Sequence, residues 1–214
     1  MAEPTRSAWR NWYHCSVGTY GKWLPGDKRG WHERNHHEHV PGDYRHPPVD
    51  TRLAQGRREY AKQLLRAEPH VFLTAAQPRI GTLLLESFAH QGVPVLALAV
   101  GPTNVHALVQ CADGQPKRVM GGAKEHVTFG AARIIDPAAK TREKFWEKGC
   151  GAKPIRDRAH ALRAFRYILA HAKKGQWVWC FRDAGPGCAE RAHAPGGGGR
   201  GVSCEMSDRR ARDG

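Results

Sequence analysis

Apolar positions along the chain form short continuous runs, which are typical of buried strands. Elsewhere they recur once per helical turn, which is typical of helices. Residues 93–100, "VPVLALAV", are apolar throughout, which predicts a central strand that is covered on both faces. A Gly-Pro-Thr turn at 101–103 leads into a second run at 104–111, so these two segments predict an antiparallel hairpin. The segments 12–20, "WYHCSVGTY", and 177–181, "WVWCF", predict two further strands.

Helical spacing recurs in four places between these strands. The pattern predicts a short basic helix at 56–67, an amphipathic helix at 79–92 that ends at Gly92, and a third helix at 120–134. The clearest helix is predicted at 155–175. Strands mixed with helices, together with an antiparallel hairpin, indicate one α+β domain in which helices pack on a central antiparallel sheet.

Two segments fall outside these elements. Residues 24–50 form a Gly/Pro/His-rich loop in which His32 and His36 have the spacing of a helical metal site, but no Cys or second matched pair completes a zinc site. We therefore expect a flexible loop there. Residues 184–214 are rich in Gly and Arg and offer too few apolar side chains to offset chain entropy, so the sequence predicts a domain over 1–183 and a disordered tail.

The charge balance narrows the class of partner. Lys and Arg number 34 against 20 Asp and Glu, a formal net charge of +14, which favours a polyanion such as nucleic acid over a scattered surface charge without function. No segment has the ~20 apolar residues of a membrane span, and the N-terminus has no signal-peptide core. We expect no membrane partner, a cytoplasmic, nucleoid-associated location, and six reduced cysteines, because no CxxC pair occurs.

The strand predicted at 104–111 carries two polar side chains on one face. Asn104 and His106 are two positions apart and therefore point the same way, while Val105, Ala107 and Val109 point to the other face as core. An amide and an imidazole side by side can hold one ligand. Taken alone, the pattern favours a half-exposed strand with ordinary polar residues.

The predicted helix at 155–175 carries the second candidate pair. Tyr167 and His171 are one turn apart and can meet. We expect both to lie opposite an apolar stripe that faces the core and consists of Leu162, Phe165, Leu169 and Ala172. The alternative is an exposed Tyr and His on a solvated basic helix.

The order of these motifs resembles the single-tyrosine HUH transposases, the group that includes the REP-associated tyrosine transposases. The resemblance covers roughly residues 12–181 and is carried by "TYGKWLPGDKRGW", "GPTNVHALV", "FWEKGCGAKPIRDRAH" and "YILAH". In the family, two histidines flank one hydrophobic residue on a strand, and a later helix carries a tyrosine with a metal ligand four residues on. Here Asn104 stands in place of the first histidine.

The resemblance implies a ferredoxin-like HUH fold and a DNA strand-transfer activity. Tyr167 would be the nucleophile that forms a 5′-phosphotyrosine link with single-stranded or hairpin DNA. His106, His171 and Asn104 would hold a divalent ion, Mg or Mn. A homodimer is also compatible, since some members complete each site with the helix of a partner. Basic side chains that would position the DNA backbone are Lys117, Arg118, Lys124, Arg156 and Arg163.

The substitution at Asn104 keeps alternatives open. An amide oxygen can ligate a hard divalent ion, but it binds more weakly than an imidazole and suits softer metals poorly, so metal affinity is the property most affected. One alternative is a decayed transposase, or an RNA-binding α+β module, that only binds nucleic acid. Another is a metal-dependent nuclease that uses His106 and water. A covalent protein–DNA adduct separates the first reading from both alternatives.

Overall fold

A computed structural model of the chain describes residues 8–27, 31–32, 39–40, 52–135 and 144–183. The strands are β1 (Trp12–Gly18), β2 (Trp31–His32), β3 (His39–Val40), β4 (Val95–Val100), β5 (Asn104–Gln110), β6 (Gly151–Pro154) and β7 (Trp177–Cys180). The α-helices are α1 (Arg52–Gln63), α2 (Gln77–His90), α3 (Pro116–Ile135) and α4 (Arg158–Leu169). The 3-10 turns are Thr74–Ala76, Ala170–Lys174 and Phe181–Asp183.

Five strands form one sheet in the order β6-β1-β5-β4-β7, and every neighbouring pair is antiparallel. The predicted hairpin is present, with Val100 opposite Val105 and Ala99 opposite His106. On its other side β5 pairs with β1, so Ser16 lies opposite His106. The α+β class with a central antiparallel sheet is confirmed, and β5 is its middle strand.

Helices cover both faces of the sheet because successive residues of β5 point to opposite sides. Val105, Ala107 and Val109 pack in one core with side chains of α2 and α3. Leu108 faces the other way and packs in a second core with side chains of α4. The polar residues Asn104 and His106 share the α4 face with Leu108, so they lie on the side of the sheet that α4 covers.

The structure differs from the expected elements where the sequence carries little apolar periodicity. The edge strand β6 was not predicted, because "GAKP" is short and mostly exposed. Helix α3 begins at Pro116 rather than 120, which suits a proline at a helix start. The helix expected over 155–175 is α-helical only to Leu169 and continues as a 3-10 turn to Lys174.

The segment expected as a loop at 24–50 contains the short strands β2 and β3, which pair with His32 opposite His39. The predicted disordered tail at 184–214 lies outside the described residues, and its state stays a prediction. Across the described ranges, no helix combines the length and apolar character needed to cross a bilayer.

Candidate active site

The start and buried face of α4 fix where its polar side chains lie. Asp157 caps the helix by accepting a hydrogen bond from the His160 backbone N–H at 2.7 Å. The buried residues of the helix are Ala161, Ala164, Phe165 and Ile168. The predicted stripe was therefore partly wrong, since Ala172 is exposed. His171 is buried and not opposite the core, because the 3-10 turn places it three residues, one full turn, after Ile168.

Four rings meet between α4 and the sheet. The Tyr167 ring centroid lies 5.2 Å from that of His106, 5.2 Å from that of His171 and 5.6 Å from that of His14. The centroids of His106 and His171 are 4.9 Å apart. Tyr167 remains 46% exposed, whereas His106 and His171 are buried. The structure thus brings together the residues that the sequence singled out on β5 and α4, within a single chain.

His106 is held by hydrogen bonds at both ring nitrogens. The Asn104 Nδ2 amide donates to His106 Nε2 at 3.2 Å, because an amide nitrogen only donates. A neutral His106 therefore carries its proton on Nδ1 and donates it to His14 Nε2 at 3.3 Å. Burial and the neighbouring cationic groups lower the pKa of His106 to about 3 and that of His14 to about 4. Both imidazoles are neutral at pH 7.

His171 presents one ring nitrogen that no described residue contacts by a hydrogen bond. Its Nδ1–H donates to Gln176 Oε1 at 2.6 Å, since a carbonyl oxygen only accepts. Its Nε2 is therefore unprotonated, buried, and without a hydrogen-bond partner in the described part of the chain. Burial lowers the pKa of His171, against the opposing effect of Gln176. A buried acceptor of this kind is costly unless something binds it.

Two glycines leave room for polar side chains to approach the sheet closely beside Asn104. Gly18 lies opposite Asn104 on β1, and a Cβ there would fall 2.6 Å from the Glu147 carboxyl carbon. Gly101 follows β4, and a Cβ there would fall 2.5 Å from Gln176 Oε1 and 2.7 Å from Asn104 Oδ1. Any larger residue at either position would displace these polar groups.

A cavity of about 150 Å³ opens next to His106, on the side of Glu147. Its wall includes Asn104, His106 and Glu147 from the site and its surroundings, together with Lys22 and Trp23 from the segment that follows β1. Glu147 is fixed there by two hydrogen bonds, from the Gly18 N–H to its Oε1 at 2.8 Å and from its own N–H to the Gly18 carbonyl at 3.0 Å.

The donor atoms of His106, His171 and Asn104 suit a divalent ion chemically. Both imidazoles have their proton on Nδ1, which leaves Nε2 as the ligating atom, and the Gln176 contact resembles the second hydrogen bond of metal-bound histidines. His106 Nε2 is engaged by Asn104 Nδ2, so ligation requires the Asn104 amide to turn its oxygen toward the site. As arranged, the described residues contain no group of three or more His, Cys, Asp or Glu able to hold a metal.

Comparisons with known proteins identify no family for the chain. No protein-family model matches the chain, and no curated protein matches it. A solved structure of a REP-associated tyrosine transposase bound to a REP hairpin is similar with a TM-score of 0.43 and 12% identity. The similarity covers 81% of this chain and 74% of the transposase chain. At this level of similarity no role is transferred to individual residues.

The basic residues expected to position DNA lie on two sides of the molecule. Arg163 is exposed one helical turn before Tyr167, and Arg156 precedes α4. Lys117, Arg118 and Lys124 lie on α3, which packs on the opposite face of the sheet. Arg118 pairs with Asp113. Lys124 Nζ donates to the carbonyls of Glu147 at 2.7 Å and Gly149 at 3.0 Å, and burial lowers its pKa.

Three residues of the site were not expected from the sequence. His14 reaches His106 because β1 pairs with β5, and its place on the face shared with Ser16 was the available signal. Gln176 follows Gly175, whose φ of 69° ends the 3-10 turn, and only this turn brings it back to His171. Glu147 belongs to a segment without regular periodicity, and no local pattern indicates its contact with Gly18.

Proposed function

We propose that the chain is a transposase-like enzyme that cleaves and rejoins single-stranded or hairpin DNA through a tyrosine link. One observation carries the proposal: Tyr167 lies 5.2 Å, centroid to centroid, from both His106 and His171, although His106 on β5 is distant in the sequence from Tyr167 on α4 and from His171 in the 3-10 turn after it. Tyr167 is 46% exposed, which supports contact with a large substrate. The formal charge of +14 supports an anionic substrate.

In the proposed reaction the Tyr167 hydroxyl oxygen attacks the phosphorus of a phosphodiester. The bond between phosphorus and the 3′ oxygen breaks, and a tyrosyl 5′-phosphate and a free 3′-hydroxyl form. The proton lost by the phenol is balanced by the proton that the 3′ oxygen gains. One phosphodiester replaces another, so the reverse reaction rejoins strands without a nucleotide cofactor.

The charge state of the imidazoles determines whether these side chains can neutralise a phosphate. With pKa values lowered to about 3 and 4, His106 and His14 are neutral at pH 7, so the two rings supply no positive charge to the site. A bound Mg or Mn ion at His106, His171 and Asn104 would supply charge neutralisation at the phosphate. The bare Nε2 of His171 supports this part of the proposal.

A second candidate function is DNA binding without strand transfer. It is favoured by the hydrogen bonds that occupy both nitrogens of His106, which leave that residue no atom for a metal until Asn104 turns. In this case basic side chains on the α4 side, such as Arg156 and Arg163, bind DNA and the strand stays intact.

The deciding experiment looks for protein on the 5′ end of cut DNA. A pool of hairpins with randomised single-stranded flanks and a 3′ fluorophore is incubated with protein and Mn or Mg, then resolved on a denaturing gel. We expect a labelled covalent adduct with the unaltered chain that Tyr167→Phe abolishes, because only the nucleophilic oxygen is removed. Chelation of the metal should also abolish it.

Tyr60→Phe is the matched control, since Tyr60 is an exposed tyrosine on α1 and should leave the adduct unchanged. An adduct that persists in Tyr167→Phe means that another residue is the nucleophile. Cut DNA with free ends indicates a nuclease, and bound but intact DNA indicates the second candidate.

A further inference from the structure

We propose that the cavity beside His106 binds one nucleobase of the DNA strand and selects guanine through the Glu147 carboxylate. The proposal rests on the proposed function for the identity of the ligand, a DNA strand. The cavity, at about 150 Å³, is large enough for a single base and too small for a base pair. His106 lines it and also contacts the Tyr167 ring, so the cavity adjoins the place where the phosphate would be attacked.

Glu147 is held with its carboxylate against the sheet. The Gly18 N–H fixes Oε1, while the missing side chain of Gly18 leaves the room that both carboxylate oxygens occupy. A carboxylate oxygen has two lone pairs, so Oε1 can accept a second hydrogen bond and Oε2 can accept as well. The position is preorganised because the backbone bond from Glu147 N–H to Gly18 O fixes the same residue.

The carboxylate decides between a base and a phosphate as the occupant. A phosphate placed against Glu147 would meet a like charge in a partly enclosed site, which is unfavourable even though Lys22 in the same wall offsets part of the repulsion. A base edge instead offers N–H donors to the carboxylate. Trp23, 51% exposed, forms part of the same wall, and unpaired bases stack on aromatic side chains of this kind.

Guanine fits the carboxylate best among the four bases. Its Watson–Crick edge carries two adjacent donors, the N1–H and the N2 amino group, which match the two oxygens of a carboxylate. Adenine and cytosine each present one amino group beside an unprotonated ring nitrogen on that edge, and that nitrogen would face a carboxylate oxygen. Thymine presents a single N–H between two carbonyl oxygens. Glu147 therefore distinguishes guanine by two hydrogen bonds.

The test is a base-preference measurement that does not depend on cleavage. Full-length Tyr167→Phe protein is mixed with a pool of randomised single-stranded DNA, and the bound fraction is sequenced. We expect guanine to be enriched at one position of the bound strands. Glu147→Gln in the same background should reduce that enrichment about tenfold at that position only. It keeps an amide oxygen for the Gly18 N–H but replaces one acceptor with a donor.

Glu125→Gln is the control, since Glu125 is an exposed glutamate on α3 and its change removes the same charge. An unchanged guanine preference in Glu147→Gln, or the same change in both variants, overturns the proposal. A pool that does not bind at all also overturns it. A guanine preference lost only in Glu147→Gln supports it even if the unaltered chain forms no covalent adduct, and that result would reject strand transfer alone.

Discussion

Asn104 lies beside two glycines, Gly18 and Gly101, that leave room for its polar neighbours. Its Nδ2 donates to His106, and its Oδ1 lies where a side chain at Gly101 would fall. Because Gly18 and Gly101 carry no side chain, Glu147 and Gln176 approach the strands on either side of Asn104. A side chain at Gly18 or Gly101 would therefore displace the polar groups next to Asn104.

Gln176 should act as a positioning residue for His171. It accepts the Nδ1–H of His171 at 2.6 Å and so keeps Nε2 unprotonated. We expect Gln176→Leu to give a mixture of the two tautomers, seen in the ring ¹⁵N shifts of His171, and to weaken any Mg or Mn binding 10–100-fold. Gln176→Glu keeps an acceptor and should preserve the Nδ1–H tautomer. Equal tautomer populations in all three proteins would show that Gln176 does not orient the ring.

At the level of elements, the sequence predicted the strands and helices that have a local apolar pattern. It missed elements that have no such pattern. The hairpin of β4 and β5 followed from two apolar runs around a Gly-Pro turn. Strand parity correctly placed Asn104 and His106 on one face. Strand β6 and the 3-10 turn after Leu169 were missed, because an exposed edge strand and a tightened helix end carry no apolar period. His171 was misplaced for the same reason.

Helix α2 packs so closely on β7 that one glycine is required. A Cβ at Gly81 would overlap the Trp177 ring, whereas a Cβ at Gly121 on α3 would meet nothing within 4 Å. We expect Gly81→Ala to lower the free energy of unfolding by about 1–3 kcal/mol through overpacking. Gly121→Ala should raise it by up to about 1 kcal/mol, because alanine favours helices. Denaturant melts of the two variants compare these values, and a stabilised Gly81→Ala would contradict the contact.

Across the whole molecule, basic side chains near Tyr167 are separated from those on α3 by the sheet. Arg156 and Arg163 belong to the α4 side, and Lys117 and Arg118 to the other. We expect Arg156→Ala/Arg163→Ala to weaken single-stranded DNA binding and to reduce the slope of log K against log salt by about 1.4. Lys117→Ala/Arg118→Ala removes the same charge and should change the slope less. Fluorescence anisotropy over a salt series measures both, and equal slopes would mean that DNA contacts both sides.

The meeting of α4 and β5 within one chain has a genetic consequence. Each copy holds its own Tyr167 and His106, whose rings lie 5.2 Å apart. If this arrangement acts on DNA, two defective alleles cannot complement each other: mixing Tyr167→Phe protein with His106→Ala protein should restore no adduct. An exchange of helices between copies would instead rebuild one intact site in each mixed pair. Recovery of the adduct in the mixture would therefore show that copies share their helices.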